Sequence, residues 1–165
     1  MTENNSLDIL KDAILLEKRG EAFYQTAAGQ SANTDVKEFF NTMAAEEAVH
    51  VNILSEQFKI VKETGTFTAA DTSQAGAIFQ KVLTPEVKAR IAAADFEAAA
   101  ISAAMLMEER AISLYSGRAE ASRDPEEKKL YQWLADWEKE HLEFLAAIDA
   151  DLKERIWNDR GFWPF

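Results

Sequence analysis

The chain has two histidines among its 165 residues, and each follows a glutamate by three positions, in Glu47-Ala48-Val49-His50 and Glu138-Lys139-Glu140-His141. Three residues along an α-helix amount to about 300° of rotation and roughly 4.5 Å of rise, which puts the carboxylate and the imidazole on one face, a turn apart. A pair placed in this way can reach a single metal ion. The two copies lie 91 residues apart, and the same offset carries Glu17 onto Glu108, Arg19 onto Arg110, Gly20 onto Ala111, Tyr24 onto Tyr115 and Leu54 onto Leu145. In each half a lone glutamate precedes the Glu of the E-x-x-H by 30 residues. A fixed internal period marks two copies of one structural unit.

The candidate metal ligands are therefore Glu17, Glu47, His50, Glu108, Glu138 and His141. Four carboxylates carry about −4 charge, which two divalent ions would neutralise and which would repel strongly without them. Oxygen-rich ligation with one imidazole per ion suits two iron ions or manganese, and zinc can also occupy such a set. Glu47 and Glu138 are assigned as bridging ligands, Glu17 and Glu108 as terminal ones, and each histidine to one ion. Tyr24 and Tyr115 follow the terminal glutamates by seven residues, about two turns along the same face. They are candidates to hydrogen-bond ligands of the opposite half, the alternative being simple core packing. Glu46 and Glu140 point about 100° away from Glu47 and His141 and are read as solvated or as touching the ligands from outside. Glu126-Glu127 and Lys128-Lys129 are a charge pattern for a helix start, not a site.

Apolar periodicity supplies the elements that must position these residues. Helices are expected over about 6–28, 35–63, 95–121 and 125–156. The first has a stripe of Leu7, Leu10, Ile14, Leu15, Phe23 and Ala27, with Asn5 or Ser6 as its cap, Gly29 as its end and residues 1–5 frayed. Phe39, Phe40, Met43, Val51, Leu54 and Phe58 give the second its inner face, and Gly65 closes it. Met105, Leu106, Leu114 and Tyr115 accompany Glu108 in the third. Asp124-Pro125-Glu126-Glu127 starts the fourth, in which Trp133, Leu134, Trp137 and Leu145 flank the ligands. Residues 64–94 read as a crossover with short helices near 74–83 and 85–93. The tail, 157–165, holds four aromatics and is expected to dock on its own bundle or on another subunit. The whole is one all-α domain: a four-helix bundle of the ferritin-like type, two antiparallel helical hairpins joined by a long crossover.

Composition excludes other classes. A net charge of −11 argues against nucleic acid and against an anionic membrane surface. The chain has no cysteine, which removes disulfides, thiolate nucleophiles and iron–sulfur ligation. With no signal-like start and no long apolar run, a cytoplasmic location is expected.

Leu16-Glu17-Lys18-Arg19-Gly20-Glu21-Ala22-Phe23-Tyr24 and Ala45-Glu46-Glu47-Ala48-Val49-His50, with Met107-Glu108-Glu109-Arg110-Ala111 and Glu138-Lys139-Glu140-His141, resemble the two hairpins of the rubrerythrin branch of the ferritin-like superfamily. The resemblance covers roughly residues 6–155. It implies a di-iron carboxylate oxidoreductase that reduces O2 or H2O2 or oxidises Fe(II). Rubrerythrins proper usually carry a four-cysteine rubredoxin domain, so the electron donor here is expected to be an external protein. Peroxide-reducing rubrerythrins also carry a further glutamate one turn after the terminal Glu of the third helix, where this chain has Ala111. That implies a centre closer to the bacterioferritin type. The alternatives are a non-catalytic metal-binding scaffold, an iron-storage bundle, or oxygenation of an organic substrate through a channel near Phe23, Met105 and Met107. A homo-oligomer, in the simplest case a dimer, is expected.

Overall fold

The computed structural model describes residues 3–73, 84–91 and 95–158. They form the helices α1 (Glu3–Gln30), α2 (Thr34–Thr64), α3 (Pro85–Ile91), α4 (Asp95–Ala121) and α5 (Pro125–Asn158). α1 packs along α2, α4 packs along α5, and α1 also touches α4. α2 and α5 meet through rings, Phe39 on Phe144 and His50 on Trp133. The result is an all-helical, ferritin-like bundle of two hairpins, and none of the described helices is long and apolar enough to cross a membrane.

Local chemistry sets the helix ends. The Asn33 side chain accepts from the N–H groups of Asp35 and Val36 at 3.0 and 3.3 Å, which satisfies donors that the first turn of α2 leaves unpaired. Gly65 ends α2 at φ 76°, with its N–H on the Val61 carbonyl. A side chain would be strained in that left-handed conformation. Asp124 caps α5 by accepting from Glu126 N and Glu127 N at 2.8 and 3.1 Å. Glu127 does not reach back to the cap. It is buried and takes Arg118 and Ser122 instead.

Several expectations need correction. α1 already begins at Glu3, so Asn5 and Ser6 are not caps, and the Ser6 hydroxyl accepts from Arg118 Nη2 at 3.0 Å. α1 runs through Gly29. It is closed by Ser31, whose N–H and hydroxyl both bond the Ala27 carbonyl. α5 continues through Trp157 and Asn158, where the tail was expected to begin, and Trp157 is 69% exposed. Leu15 and Leu106, read as inward, are 46% and 63% exposed. The buried stripe of α1 runs Leu10, Ala13, Glu17, Tyr24, Ala27. Leu15 stands two residues, about 200°, from both Ala13 and Glu17. Leu106 has the same register between Ala104 and Glu108. The rest of the tail, 159–165, and the short helix expected near 74–83 lie outside the described residues.

The core comes in two apolar clusters with a polar layer between them. One holds Tyr24, Phe39, Phe40, Met43, Ile101, Ala104 and Leu145. The other holds Leu10, Ala13, Leu54, Tyr115, Leu130, Tyr131 and Leu134. The 91-residue offset exchanges them, carrying Leu10 to Ile101, Ala13 to Ala104, Tyr24 to Tyr115, Phe40 to Tyr131 and Leu54 to Leu145. A pseudo-twofold axis therefore passes through the polar layer and swaps the two ends of the bundle. The chain leaves α2 at one end, where Phe67 joins the second cluster and Thr68 N donates to Gln57 Oε1 at 3.2 Å. It returns as α3 at the other end, with Val87 and Ile91 in the first cluster. A crossover spanning the bundle makes α4 antiparallel to α1 and brings four mid-helix positions to one level.

Candidate metal centre

The polar layer consists of Glu17 on α1, Glu47 and His50 on α2, Glu108 on α4, and Glu138 and His141 on α5, each at most 3% exposed. Burying four carboxylates together is costly unless cations or protons neutralise them. Both imidazoles turn Nδ1 into the layer. His50 Nδ1 lies 2.9 Å from Glu138 Oε1, 3.2 Å from Glu17 Oε2 and 3.5 Å from Glu47 Oε2. His141 Nδ1 lies 3.0 Å from Glu138 Oε2 and 3.8 Å from oxygens of both Glu47 and Glu108. Two ligand groups result, Glu17, Glu47, His50, Glu138 and Glu47, Glu108, Glu138, His141, with donor atoms in each within 4.8 Å of one another. Glu47 and Glu138 belong to both.

The two tyrosines cross between the halves. Tyr24 donates to Glu108 Oε1 at 2.5 Å, and Tyr115 donates to Glu17 Oε1. Burial and the adjacent carboxylates push both phenols well above their ordinary pKa, so they remain protonated donors.

Electrostatics of the layer show which groups hold protons. Burial, with Glu138 and Glu17 alongside, raises Glu47 well above the usual carboxylate range. Burial and Glu138 do the same to Glu108, and burial with Glu17 raises Glu138. Glu17 goes the other way. Burial opposes its ionisation, but hydrogen bonds from Glu47, His50 and Tyr115 and the His50 charge hold it at about 2. Burial would lower His50, yet Glu138, Glu17 and Glu47 keep it well above its ordinary value. His141 is lowered by burial, against the pull of Glu108. Glu47, Glu108 and His50 are thus each shifted toward the protonated form, the direction in which added positive charge relieves the layer.

The outer sides of the two histidines break the pseudo-symmetry. Trp137 Nε1–H donates to His141 Nε2 at 3.1 Å. The 91-residue offset maps Trp137 onto Glu46, which is buried rather than solvated and leaves its Oε2 without a partner among the described residues. His50 Nε2 likewise has no hydrogen-bond partner among them. Glu140 is exposed. Trp133 and Trp137 stand edge-on to His50, with ring centroids 5.7 and 6.1 Å away, and wall one side of the layer. The sequence signal for this wall was the i, i+4 run Trp133, Trp137, His141, which read only as core.

The donor set fits metal: six buried ligands, two overlapping groups and, among the described residues, no Lys or Arg paired to any of the four carboxylates. This is a buried Glu4His2 site able to hold two metal ions. Neither a curated protein nor a solved structure gives a significant match to the chain. The rubrerythrin family model matches residues 8–149, which takes in both hairpins and all six ligands, and the chain belongs to the rubrerythrin family.

Proposed function

We propose that the protein is a di-iron carboxylate oxidoreductase that reduces H2O2 or O2 with electrons from a separate donor protein. The observation that carries this reading is that Glu47 and Glu138 sit in both ligand groups. A carboxylate offering one oxygen to each of two ions holds them as a pair, and paired ions suit two-electron chemistry. When bound, the iron pair supplies one electron from each ion, so that H2O2 and two protons become two waters.

The chain's own residues do the rest. Glu17 and Glu108 would be the terminal ligands, each oriented by a hydrogen bond from a tyrosine of the other half. His50 and His141 would each offer Nδ1 to one ion. Apolar clusters above and below keep bulk water from the layer. Electrons would come from a donor centre outside this bundle, whose 165 residues hold no cysteine for a rubredoxin-type centre.

A ferroxidase is the second reading. Ala111, where the resemblance places a further glutamate, is buried and adds only a methyl group, leaving the six-ligand set. The two readings separate in one anaerobic experiment on the Fe(II)-loaded chain. The proposal expects one equivalent of H2O2 per iron pair to oxidise the centre fully, and an added one-electron donor to restore it for repeated turnover. Oxidation of many Fe(II) per chain, with no turnover from the donor, would favour the ferroxidase. No reaction with either would leave a metal-binding scaffold.

A further inference from the structure

Between α1 and α4 a cavity of about 150 Å³ reaches the ligand layer, lined by Glu17 and Glu47 at its floor and by Gly20 and Ala111 on its walls. Gly20 is what opens it. A Cβ there would stand 3.4 Å from Glu47 Cδ and 3.7 Å from Glu47 Oε2, filling the space beside the carboxylate. The symmetry-related position already carries a methyl group, as Ala111, and the cavity touches Glu17 and Glu47 but not Glu108 or Glu138. Access is thus one-sided. The opposite face is walled by Trp133 and Trp137.

Arg19 and Arg110 also line this cavity. They are related by the 91-residue offset, both are exposed, and neither is paired with a carboxylate among the described residues. On a chain of net charge −11, these two guanidinium groups stand against the Glu17 and Glu47 carboxylates of the same cavity, and once metal neutralised those carboxylates the arginines would leave the cleft positive. A cleft lined by one sign of charge raises the local concentration of the opposite ion and its association rate.

We propose that this cleft is the entrance to the metal centre and that its arginine pair favours small anions over metal cations. The inference rests on the di-metal reading above and names the ligand class for that site. Fe(II) entering by this route would meet two positive charges, a barrier that a neutral oxidant such as H2O2 or O2 does not face.

The test uses azide, a small anion that ligates ferric iron, on the full chain loaded with iron and oxidised. Its association rate is followed by stopped-flow absorbance at low and high salt, after iron content has been measured. Three variants are compared with wild type. R19E/R110E reverses the charge at the mouth. K59E/K62E makes the same change in net charge on an exposed part of α2 away from the cleft. Ala111→Leu fills the cavity from α4. The expected result is that R19E/R110E slows azide by about tenfold or more at low salt and rejoins wild type at high salt. K59E/K62E stays within about twofold, and Ala111→Leu slows azide at every salt concentration. With iron content intact, equal slowing by the arginine and lysine reversals, or no slowing in R19E/R110E, overturns the anion entrance alone. Absence of iron from wild type overturns the di-metal reading and the entrance with it.

Discussion

Four carboxylates packed around two imidazoles cannot all ionise without cations beside them, and the metal-free layer holds protons instead. Glu47, Glu108 and Glu138 are raised above the ordinary 4.5 by burial and by one another, and His50 is raised above 6.5 by its carboxylates against burial. A raised group adds stability that is complete below its unfolded pKa and is lost as pH rises through its folded one. Two groups shift the other way: the contribution of Glu17, held at about 2, is complete above 4.5 and is lost only as pH falls toward that value, and His141, lowered by burial, costs stability only as pH falls below 6.5. Above pH 6.5 the shifted groups of the layer therefore all pull in one direction. The metal-free protein should melt higher near pH 6.5 than near pH 8, with a slope of about 1.4 kcal/mol per pH unit for each excess proton. Metal loading should flatten or reverse the trend, because cations replace the protons. Thermal melts across this range with and without metal check it. The histidines differ in a second way. Metal at Nδ1 leaves the imidazole proton on Nε2. At His141 that proton faces the Trp137 N–H, a second donor, whereas His50 Nε2 meets no such donor among the described residues. Two metal equivalents should therefore bind with unequal affinity, and Trp137→Phe should narrow the gap. A calorimetric metal titration reads both steps.

At the scale of the element, each helix is long and ends at chemistry that packing does not override. The Arg118–Glu127 pair joins the end of α4 to the start of α5 at 2.6 Å, with both side chains largely buried. Removing Arg118 leaves a buried carboxylate without its cation. Arg118→Ala should cost about 3 kcal/mol in a denaturant melt while leaving the metal count unchanged. The sequence carried this element level well. Asp124-Pro125 began a helix and Gly65 ended one where their chemistry requires, and the spacing of Glu17, Glu47, Glu108 and Glu138 placed them on buried faces. What stayed hidden is tertiary. Glu46 looks solvated on an isolated α2, and the assembled bundle buries it. Leu15 looks inward by residue type, but the stripe of α1 is fixed by Leu10, Ala13 and Glu17. Gly20 reads as a small residue at a repeat position, and only the approach of Glu47 shows the space it opens. Gly29 looked like a terminator, yet the helix runs on through it and is closed by the Ser31 hydroxyl.

Seen as a whole, the molecule is two copies of a hairpin whose pseudo-twofold axis exchanges the apolar clusters and leaves the ligand layer at the centre. Each half contributes three ligands, and neither half alone completes either ligand group. Metal bound there would tie the two hairpins together, and it should raise the melting temperature of the whole chain. The departures from symmetry sort by face: Gly20 against Ala111 opens the cleft between α1 and α4, and Trp137 against Glu46 distinguishes the outer sides of the two histidines. The most direct test of the central claim is the metal content per chain, by elemental analysis after anaerobic loading with Fe(II), for wild type and Glu138→Gln. The shared-ligand centre predicts about two iron per chain in wild type and loss of both in the variant, since Glu138 belongs to both groups. No metal in wild type, or one iron retained at full affinity in Glu138→Gln, would contradict it.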